Sequence, residues 1–444
     1  MKIAVIGAGV SGLGAAWLLS RKHDVVVYER EARFGGHSCT VETGNRPVDV
    51  GFIVFNERNY PNLVALFDHL GVPTEESDMS FAVSLDNGCY EYASSYAAFL
   101  AQPRNAVRPS FLRMTRDILR FNRLAPRLLT QCEDLDFTLG DFVADAGLSD
   151  AFRDRYLIPM ASCIWSTPLG RMLDYPAQTF ARFFANHGLL TVGPQLRWRT
   201  VSGGSRSYVE RIVAPLRARA RLASPARQVK RHADGVSVRD ASGHWDRFDR
   251  VVLACHADQA LGLLADPSME EGTLLGSFAY STNDVWLHAD TTLMPRRRKV
   301  WSSWNYVAES AASGTPSVTY WMNRLQNLPG DPLFVSVNPG RTPAQAYARF
   351  SFEHPMYDAS AIRAQRELHR LQGVRHTYFC GSYCGYGFHE DALSAGLDVA
   401  EQLGVQRPWR RPAEHRRVGD PPRVVAERPS ALPVPAPVAA RVMP

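Results

Sequence analysis

The chain has 444 residues, of which 45% are hydrophobic and 21% are charged, and its formal net charge is +6. This composition excludes a disordered or collagen-like chain, and the length suits two or three packed units. The charge alone would suggest a nucleic-acid partner, but the segment from Val405 onward holds eight arginines against three acidic residues, a net +5. We therefore expect a nearly neutral folded body without a basic face, and no nucleic-acid partner.

Residues 1–29 predict a strand, a glycine-rich turn, a helix and a second strand, in that order. Ile3–Ile6 is a short apolar run typical of a buried parallel strand, and an apolar helical period continues to Leu19. The glycines between them permit a tight turn, close approach to a pyrophosphate and close packing of the helix, whose N-terminus attracts an anion. Val25–Tyr28 is the predicted second strand, and the acid after it can accept hydrogen bonds from a ribose diol. The dinucleotide contacts predicted here are Gly7, Gly9, Val10, Ser11, Gly12 and Glu29.

The residues after Glu29 distinguish between dinucleotides. They run from Arg30 to a Gly35-Gly36 pair followed by His37. This stretch resembles the FAD-binding family of flavin amine oxidases, phytoene-type desaturases and protoporphyrinogen oxidases, whose mark is a Gly-Gly pair usually followed by arginine. The resemblance implies that Arg30, Gly35, Gly36 and His37 contact FAD, with the glycines on the flavin side of the pyrophosphate. His37 stands where the family mostly has arginine.

Three further elements are predicted before residue 94. Pro47–Phe55 is a strand-like run with an Asp-x-Gly, which the resemblance places near the flavin ring. Asn62–Leu70 predicts a helix that ends at Gly71. The Asp86-Asn87-Gly88 sequence predicts a hairpin between two strands within residues 80–92.

From Ser94 to about His187 the pattern is helical, with scattered arginines. The predicted helices are Phe111–Leu129, Thr138–Ala146 and Asp150–Ile158. Met160–Trp165 and Phe180–Phe184 are the most apolar pieces; their spacing favours core packing over the lining of a substrate tunnel.

The chain then returns to the nucleotide domain. A Gly203-Gly204 pair precedes a predicted helix, and the resemblance implies that the strand holding Val229 lies beside the adenine through backbone contacts. Residues 249–256 predict another buried strand; Cys255 and His256 on it point to opposite faces, which disfavours chelation. Seven cysteines without a CxxC pair predict neither a metal site nor a disulfide framework, and favour a cytoplasmic protein.

Alternating segments between Gly276 and Pro339 predict an antiparallel or mixed sheet rich in aromatic residues. A second glycine-rich stretch follows between Arg375 and Gly396, and it resembles the closing FAD motif of the amine-oxidase family. The resemblance implies that Gly381 and Ser382 approach the ribityl chain and diphosphate. It also implies that the start of the next helix points its N–H groups at the flavin, where the helix dipole would stabilise the reduced ring. The contacts predicted at this helix are Phe388, His389 and Glu390.

The catalytic residue is not evident from the sequence. In the amine-oxidising branch of the family a lysine holds a water near the flavin, but this chain has only four lysines, and the strand expected to carry it, residues 281–288, has none. Lys299 follows Arg296–Arg298 and is expected to be exposed. Phe388 is the single aromatic residue where that branch has the tyrosine of a paired cage. His389 and His288 remain weak candidates for an acid or base.

These observations predict an α/β fold: a discontinuous doubly wound FAD-binding domain of the Rossmann-like, glutathione-reductase type, with an α+β substrate domain built around a mixed sheet. The FAD domain is predicted to comprise residues 1–75, 201–264 and 364–404, the substrate domain residues 76–200 and 265–363, and a disordered basic tail residues 405–444. A solvated, arginine-rich tail is the favoured interpretation, and a weak attraction to anionic lipid at the inner face of a membrane is the alternative.

The predicted function is FAD-dependent hydride abstraction from a small-molecule or lipid carbon substrate, with oxygen or another acceptor regenerating the flavin. A desaturase acting on fatty acyl chains is one alternative, by resemblance. A non-redox isomerase, or a protein that holds FAD structurally, is the alternative from another class. An NAD-binding protein would lack the colour of a flavoprotein.

Overall fold

The computed structural model describes residues 1–131, 134–165, 169–190, 196–308 and 317–412. Within these ranges the chain forms twenty strands and fifteen α-helices, together with short 3₁₀ segments and a π-helical segment, Arg153–Leu157. The strands are β1 (Lys2–Ile6), β2 (Asp24–Tyr28), β3 (Thr40–Glu42), β4 (Pro47–Asp49), β5 (Val54–Asn56), β6 (Thr74–Ser77), β7 (Phe81–Leu85), β8 (Tyr90–Ala93), β9 (Trp198–Val201), β10 (Ala220–Arg221), β11 (Ala226–His232), β12 (Gly235–Asp240), β13 (Trp245–Phe248), β14 (Arg250–Leu253), β15 (Tyr280–His288), β16 (Trp304–Val307), β17 (Ser317–Trp321), β18 (Phe334–Val337), β19 (Ala346–Pro355) and β20 (Thr377–Phe379). The helices are α1 (Val10–Leu19), α2 (Pro61–Leu70), α3 (Tyr96–Phe99), α4 (Pro109–Gln131), α5 (Leu139–Asp145), α6 (Asp150–Phe152), α7 (Ile158–Trp165), α8 (Leu169–Met172), α9 (Ala177–Asn186), α10 (Arg206–Val213), α11 (Ala257–Leu263), α12 (Met269–Gly276), α13 (Met322–Leu325), α14 (Ala359–Glu367) and α15 (His389–Gln402).

A five-stranded parallel sheet with the order β10-β2-β1-β14-β20 forms the first layer. Its central strands are buried on both faces, as their continuous apolar sequences predict. The order reverses between β1 and β14, and the carboxyl ends of these strands meet there; ligands of open α/β sheets bind at such a switch point. The parallel sheet and the α/β class predicted from the sequence are confirmed.

Helices α1 and α15 lie against each other over one face of this sheet, although they are almost 400 residues apart in the chain. Two glycines make the approach possible: a Cβ on Gly396 would lie 2.1 Å from the carbonyl oxygen of Ser11, and one on Gly14 would lie 2.7 Å from the Leu393 side chain. Gly12 instead lets α1 pack against the preceding turn and the residue after β14, since its Cβ would lie 1.9 Å from the carbonyl oxygen of Gly7 and 3.1 Å from the Cβ of Ala254. The two predicted nucleotide motifs are therefore brought together by backbone contact.

The second layer is a seven-stranded mixed sheet with the order β19-β15-β18-β17-β16-β7-β8. The predicted hairpin at residues 86–88 joins β7 to β8 within it. The ten-residue strand β19 pairs along the whole of β15 and was not predicted, because its exposed and charged residues hide the alternation of an edge strand.

The domain boundaries remain predictions, but core contacts indicate a refinement. Leu274 and Leu275 on α12, and Ala361 and Ala364 on α14, belong to the same hydrophobic cluster as strands β1 and β14. These two helices thus pack in the same core as the parallel sheet.

The prediction that the disordered tail begins at residue 405 is wrong at its start. Val405 is 3% exposed and Arg407 is 6% exposed, and the guanidinium of Arg407 pairs with Asp398 and Glu401 on α15. Trp409 stacks on Trp17 of α1. The fold therefore continues at least through Pro412; residues 413–444 lie outside the described ranges.

The expectation of a folded body without a basic face is also wrong. Helix α4 carries five arginines and a single acidic residue, Asp117, which is buried. The counts along the whole chain hid this local concentration, because acidic residues elsewhere balance it.

Candidate functional site

A single cavity of about 1780 Å³ runs from the switch point of the parallel sheet to the helical segment α3–α9. Its two ends differ in chemistry. Glycines and charged side chains line the end nearest β1, and aromatic and aliphatic side chains line the other. Of the sixteen predicted cofactor contacts, thirteen line this cavity: Gly7, Gly9, Val10, Ser11, Glu29, Arg30, Gly35, Gly36, His37, Gly381, Ser382, Phe388 and His389.

The glycine cradle lies where the N-terminus of α1 faces the cavity. Gly9 is the N-cap of α1, and a Cβ built on it meets no described atom within 4 Å. Gly36 has φ +56° and faces Gly9, since its own Cβ would lie 3.1 Å from the Cα of Gly9. The space beside Gly9 is therefore cavity, open to an anion at the positive end of a helix, as a pyrophosphate requires. This cradle fits FAD.

Glu29 is held in place by the backbone. One carboxylate oxygen accepts a hydrogen bond from the Ala8 N–H at 2.7 Å and the other accepts one from the Glu31 N–H at 2.9 Å. A carboxylate has about four acceptor positions, so capacity remains for a ribose diol. The side chain is 8% exposed and lines the cavity.

Arg33 was missed by the sequence interpretation, although it stands just two residues before the Gly35-Gly36 pair. Its guanidinium donates to the Gly36 carbonyl at 2.7 Å, pairs with Glu31 at 2.9 Å and lines the cavity. It places a cation beside the cradle, where His37 brings none. The sequence feature that could have predicted this contact is an arginine in the same turn as the glycine pair.

Three predicted contacts do not line the cavity. Gly12 serves the packing of α1 described above. Val229 is buried, and its carbonyl accepts a hydrogen bond from the Ala265 N–H at 2.9 Å; the residues that line the cavity from this segment are Pro225, Ala226 and Arg227. The predicted contact was placed too far along the strand, because β11 lines the cavity only at its start.

Glu390 is the third correction. Its carboxylate accepts hydrogen bonds from the N–H groups of Asn62 and Leu63, both at 2.9 Å, so it caps the N-terminus of α2 instead of facing the cavity. Burial raises the pKa of Glu390 to about 8, although these hydrogen bonds oppose the shift. Glu390 therefore ties α15 to α2 and leaves the neighbouring ring of His389 as the cavity contact.

His389 joins a buried hydrogen-bonded group in the middle of the cavity wall. Its Nε2 lies 2.5 Å from the Tyr208 hydroxyl and 3.3 Å from the Ser38 hydroxyl, and its ring stacks on Phe52 with centroids 3.9 Å apart. Burial lowers the pKa of His389 to about 3, so the imidazole is neutral at pH 7. A neutral ring can accept or donate a hydrogen bond here, but it cannot act as a cationic acid.

His37 and the unpredicted strand β19 form the opposite wall. The ring of His37 lies 4.9 Å from that of Phe352 and 5.3 Å from that of His354, and all three residues line the cavity. Burial and the neighbouring cationic groups lower the pKa of His37 well below its ordinary value. Within the described part of the chain, its buried Nε2 has no hydrogen-bond partner, so this atom is available to a ligand.

The apolar end shows that the aromatic segments have two roles. Phe180 and Phe184 are buried in the helical core, as predicted. Phe183 instead faces the cavity and stacks on Phe388 with centroids 5.0 Å apart. From α7, the cavity side chains are Met160, Cys163, Ile164 and Trp165, so these four residues take the cavity-lining role that the sequence analysis had placed second to core packing.

His288, the other weak catalytic candidate, lies in the core of the mixed sheet. It is fully buried, its Nε2 lies 2.8 Å from the Ser336 hydroxyl, and its Nδ1 accepts a hydrogen bond from the Asp290 N–H at 3.0 Å. It does not line the cavity, so the structure places it outside the candidate site. None of the four lysines of the chain lines the cavity either, although all four are described. Among the described residues no group of three or more metal-ligating side chains forms a metal site.

Because His288 is buried, we predict that the free energy of unfolding decreases as the pH falls. Burial lowers the pKa of His288 to about 4, whereas a histidine of an unfolded chain titrates near pH 6.5. As the pH falls below about 6.5, the unfolded state takes up the proton first, so stability is lost. Between pH 7 and pH 5 the loss is about 2 kcal/mol for one such group.

Urea unfolding of the wild type and of His288→Asn at pH 7 and pH 5 measures this loss, as the difference between the pH dependences of the two proteins. The variant is needed because burial raises the pKa of Asp49 to about 6, so protonation of Asp49 stabilises the folded state as the pH falls. His244→Asn is the matched control, because the His244 side chain is 64% exposed. An equal pH dependence in wild type and His288→Asn would contradict the assignment.

Comparison with known proteins identifies a matching family, a curated relative and solved structures of the same fold. The model of the family described as flavin-containing amine oxidoreductases matches residues 10–311. A Mycobacterium tuberculosis protein whose curated name is flavin-containing monoamine oxidase AofH is 25% identical over 251 residues, which is 54% of each chain; the chain thus matches about half the length of this curated relative.

Solved structures share the fold, a putrescine oxidase and a fatty acid isomerase among them. A triple mutant of putrescine oxidase superposes with a TM-score of 0.69 at 16% identity, covering 90% of this chain and 98% of its own. A CLA-producing fatty acid isomerase from P. acnes superposes with a TM-score of 0.66 at 15% identity, covering 91% and 98%. At these identities the likeness concerns the fold alone.

Proposed function

Because the chain belongs to the family of flavin-containing amine oxidoreductases, we propose that it is an FAD-dependent oxidoreductase that removes a hydride from a carbon atom of its substrate. FAD, when bound, supplies the two-electron acceptor. The protein's own residues bind the dinucleotide, exclude water and hold the substrate carbon in position. Oxygen or another acceptor then regenerates the flavin.

The observation that carries this proposal is the continuity of the cavity. The glycine cradle and Glu29 lie at one end, and the apolar side chains of α4, α7 and α9 lie at the other, with no wall of described residues between them. A flavin ring extending from the cradle would therefore meet a substrate inside an apolar chamber. In such a chamber, hydride transfer needs little from side chains beyond positioning.

The chamber favours a substrate without a charged amine. Burying a cationic amine costs free energy unless it is paired, so a carboxylate is its strongest partner in such a chamber. Among the described residues, the carboxylates that line the cavity are Glu29 and Glu31 at the nucleotide end, and Glu353, which lies 3.3 Å from the Nδ1 of His256. The absence of a lysine from the lining argues against the lysine-held water of the amine-oxidising branch.

An acyl chain is the substrate that fits these walls, and dehydrogenation of its carbon–carbon bond is the specific form of the proposal. One carbon would give a hydride to the flavin, and the neighbouring carbon would give a proton to a water molecule, so that the two carbons form a double bond. Side chains such as Phe99, Ile118 and Met160 line the chamber and offer dispersion contacts along such a chain. A fatty acid isomerase shares the fold, which supports the choice of an acyl substrate and also keeps isomerisation as the rival activity.

Anaerobic titration of the flavin-loaded protein separates these activities. We expect an acyl lipid to abolish the visible flavin absorption, and air to restore it. Amines tested in parallel should leave the absorption unchanged; bleaching by amines alone would overturn the choice of substrate. Conversion of an acyl lipid to a positional isomer, without net bleaching, would overturn the redox proposal in favour of an isomerase.

A chamber variant tests where the substrate lies. Ile118→Trp fills the apolar end without touching the cradle, so FAD content should stay at the wild-type level while substrate-dependent bleaching slows by at least about tenfold. Met269→Trp is the control, because Met269 is 92% exposed and lies outside the cavity lining. Equal bleaching rates in both variants would contradict the location of the substrate site.

A further inference from the structure

Exposed hydrophobic side chains are concentrated in one segment of the chain. Of the nine large hydrophobic side chains that are exposed within the described ranges, four lie between residues 100 and 119. Leu100 is 48% exposed, Val107 78%, Leu112 52% and Leu119 56%. Scattered apolar residues on a surface need no explanation, but a cluster marks a surface that contacts something apolar.

The same segment is cationic. On α4 the arginines recur every three or four residues, so they follow one stripe of the helix. The carboxylate of Asp117 pairs with Arg116 and Arg120. Three arginines remain that pair with no carboxylate of the described chain: Arg113, Arg123 and Arg127. We call these three arginines, with Val107, Leu112 and Leu119, the α4 face.

The α4 face adjoins the apolar end of the cavity. Leu100 and Leu119 are about half exposed and also line the cavity. Thr115, Ile118 and Asn122 line it from the next turns of the same helix. Around α4 the order is therefore cavity wall, exposed leucines and arginine stripe, so the mouth of the chamber has an apolar rim with a cationic border.

We propose that the α4 face docks on the surface of an anionic lipid bilayer. The arginines contact lipid phosphates, their aliphatic stems lie along the interface, and the exposed leucines enter the acyl boundary. The leucines distinguish this partner from a nucleic acid, whose phosphate backbone gives them nothing to contact. No described helix has the length and hydropathy needed to span the bilayer, so the attachment is peripheral.

Docking at this place would give the chamber a direct supply of apolar substrate. A lipid chain passing between Leu100 and Leu119 moves from bilayer to cavity without crossing water, so its transfer avoids the cost of hydrating apolar surface. This route rests on the proposed function. The docking itself does not, since it follows from the α4 face alone.

The test is co-sedimentation of the full-length flavin-loaded protein with vesicles of phosphatidylcholine, with and without phosphatidylglycerol, whose negative charge attracts basic surfaces. We expect binding that requires the anionic lipid and falls with salt. The triple variant R113Q/R123Q/R127Q should bind roughly 100-fold more weakly, at about a factor of five for each charge removed. Leu112→Ser should weaken binding further and leave FAD content unchanged.

A matched control removes three charges elsewhere. R217Q/K230Q/R239Q changes exposed residues on the nucleotide domain, and it should bind vesicles like the wild type. Equal weakening of both triple variants would overturn the proposal, because it would reduce the effect to net charge. Wild-type binding by the α4 triple variant would also overturn the proposal, because it would assign vesicle binding to residues after 412. A protein that binds duplex DNA but not vesicles would overturn it as well. None of these outcomes depends on an activity assay, so failure here and failure of the proposed function are distinguishable.

Discussion

A Gly9→Val variant is expected to fold and yet to lose FAD. Gly9 has φ −72° and ψ 178°, which valine adopts without strain, and its Cβ would meet no described atom within 4 Å. The added side chain would instead fill the space at the N-terminus of α1 that we propose for the pyrophosphate of FAD. We expect affinity for FAD to fall by about 100-fold or more, corresponding to roughly 3 kcal/mol of overpacking.

The measurement pairs FAD binding, followed by flavin absorption, with circular dichroism of the purified protein. Gly12→Ala is the contrasting variant, because its Cβ would lie 1.9 Å from the Gly7 carbonyl oxygen and 3.1 Å from the Cβ of Ala254. It should lose both native structure and FAD. Wild-type affinity in Gly9→Val would show that the cradle does not hold the pyrophosphate.

Arg407→Ala is expected to lower the free energy of unfolding by about 3–5 kcal/mol. The Arg407 side chain is 2% exposed, lies 2.5 Å from an Asp398 oxygen, and donates to Glu401 at 2.7 Å and to the Asn62 side chain at 2.8 Å. Its loss leaves two buried carboxylates with only part of their cationic partners. Arg411 also pairs with Asp398 and moderates the cost.

Chemical denaturation measures this cost, with Arg407→Met as a second variant that keeps the aliphatic stem. Met should be nearly as destabilising as Ala, since the unpaired carboxylates dominate. Arg363→Ala is the surface control: Arg363 pairs with Asp136, but the two side chains are 52% and 70% exposed, so a change within about 1 kcal/mol is expected. A similarly small change at Arg407 would mean that the C-terminal segment adds little to stability.

The two nucleotide motifs were predictable because each is local. A strand, glycines at fixed spacing, a helix and a following acid occur within thirty residues, and their geometry is dictated by backbone conformation rather than by distant partners. The helix 61–70 with its left-handed Gly71 cap and the hairpin at residues 86–88 were predicted for the same reason. In each case the signal and the structure lie in the same short segment.

Other features depend on which residues meet across the fold. Glu390 appeared to face the cofactor, yet α15 packs beside α2 and its carboxylate caps that helix instead. Strand β19 supplies Phe352 and His354 to the cavity, but an edge strand with polar residues on both faces has no clear period in the sequence. Phe183 and Phe184 are neighbours, and only their place on the helix separates a cavity contact from a core contact.

The sequence by itself determined the class of cofactor site and the parallel sheet that carries it, because glycine geometry and strand hydrophobicity are properties of contiguous residues. Tertiary structure decided the rest: the cradle between the two motifs, the chamber walls from three helices and the arginine stripe at its mouth. The physical reason is that burial, pairing and the direction of a side chain are fixed only when segments far apart in the chain pack against each other.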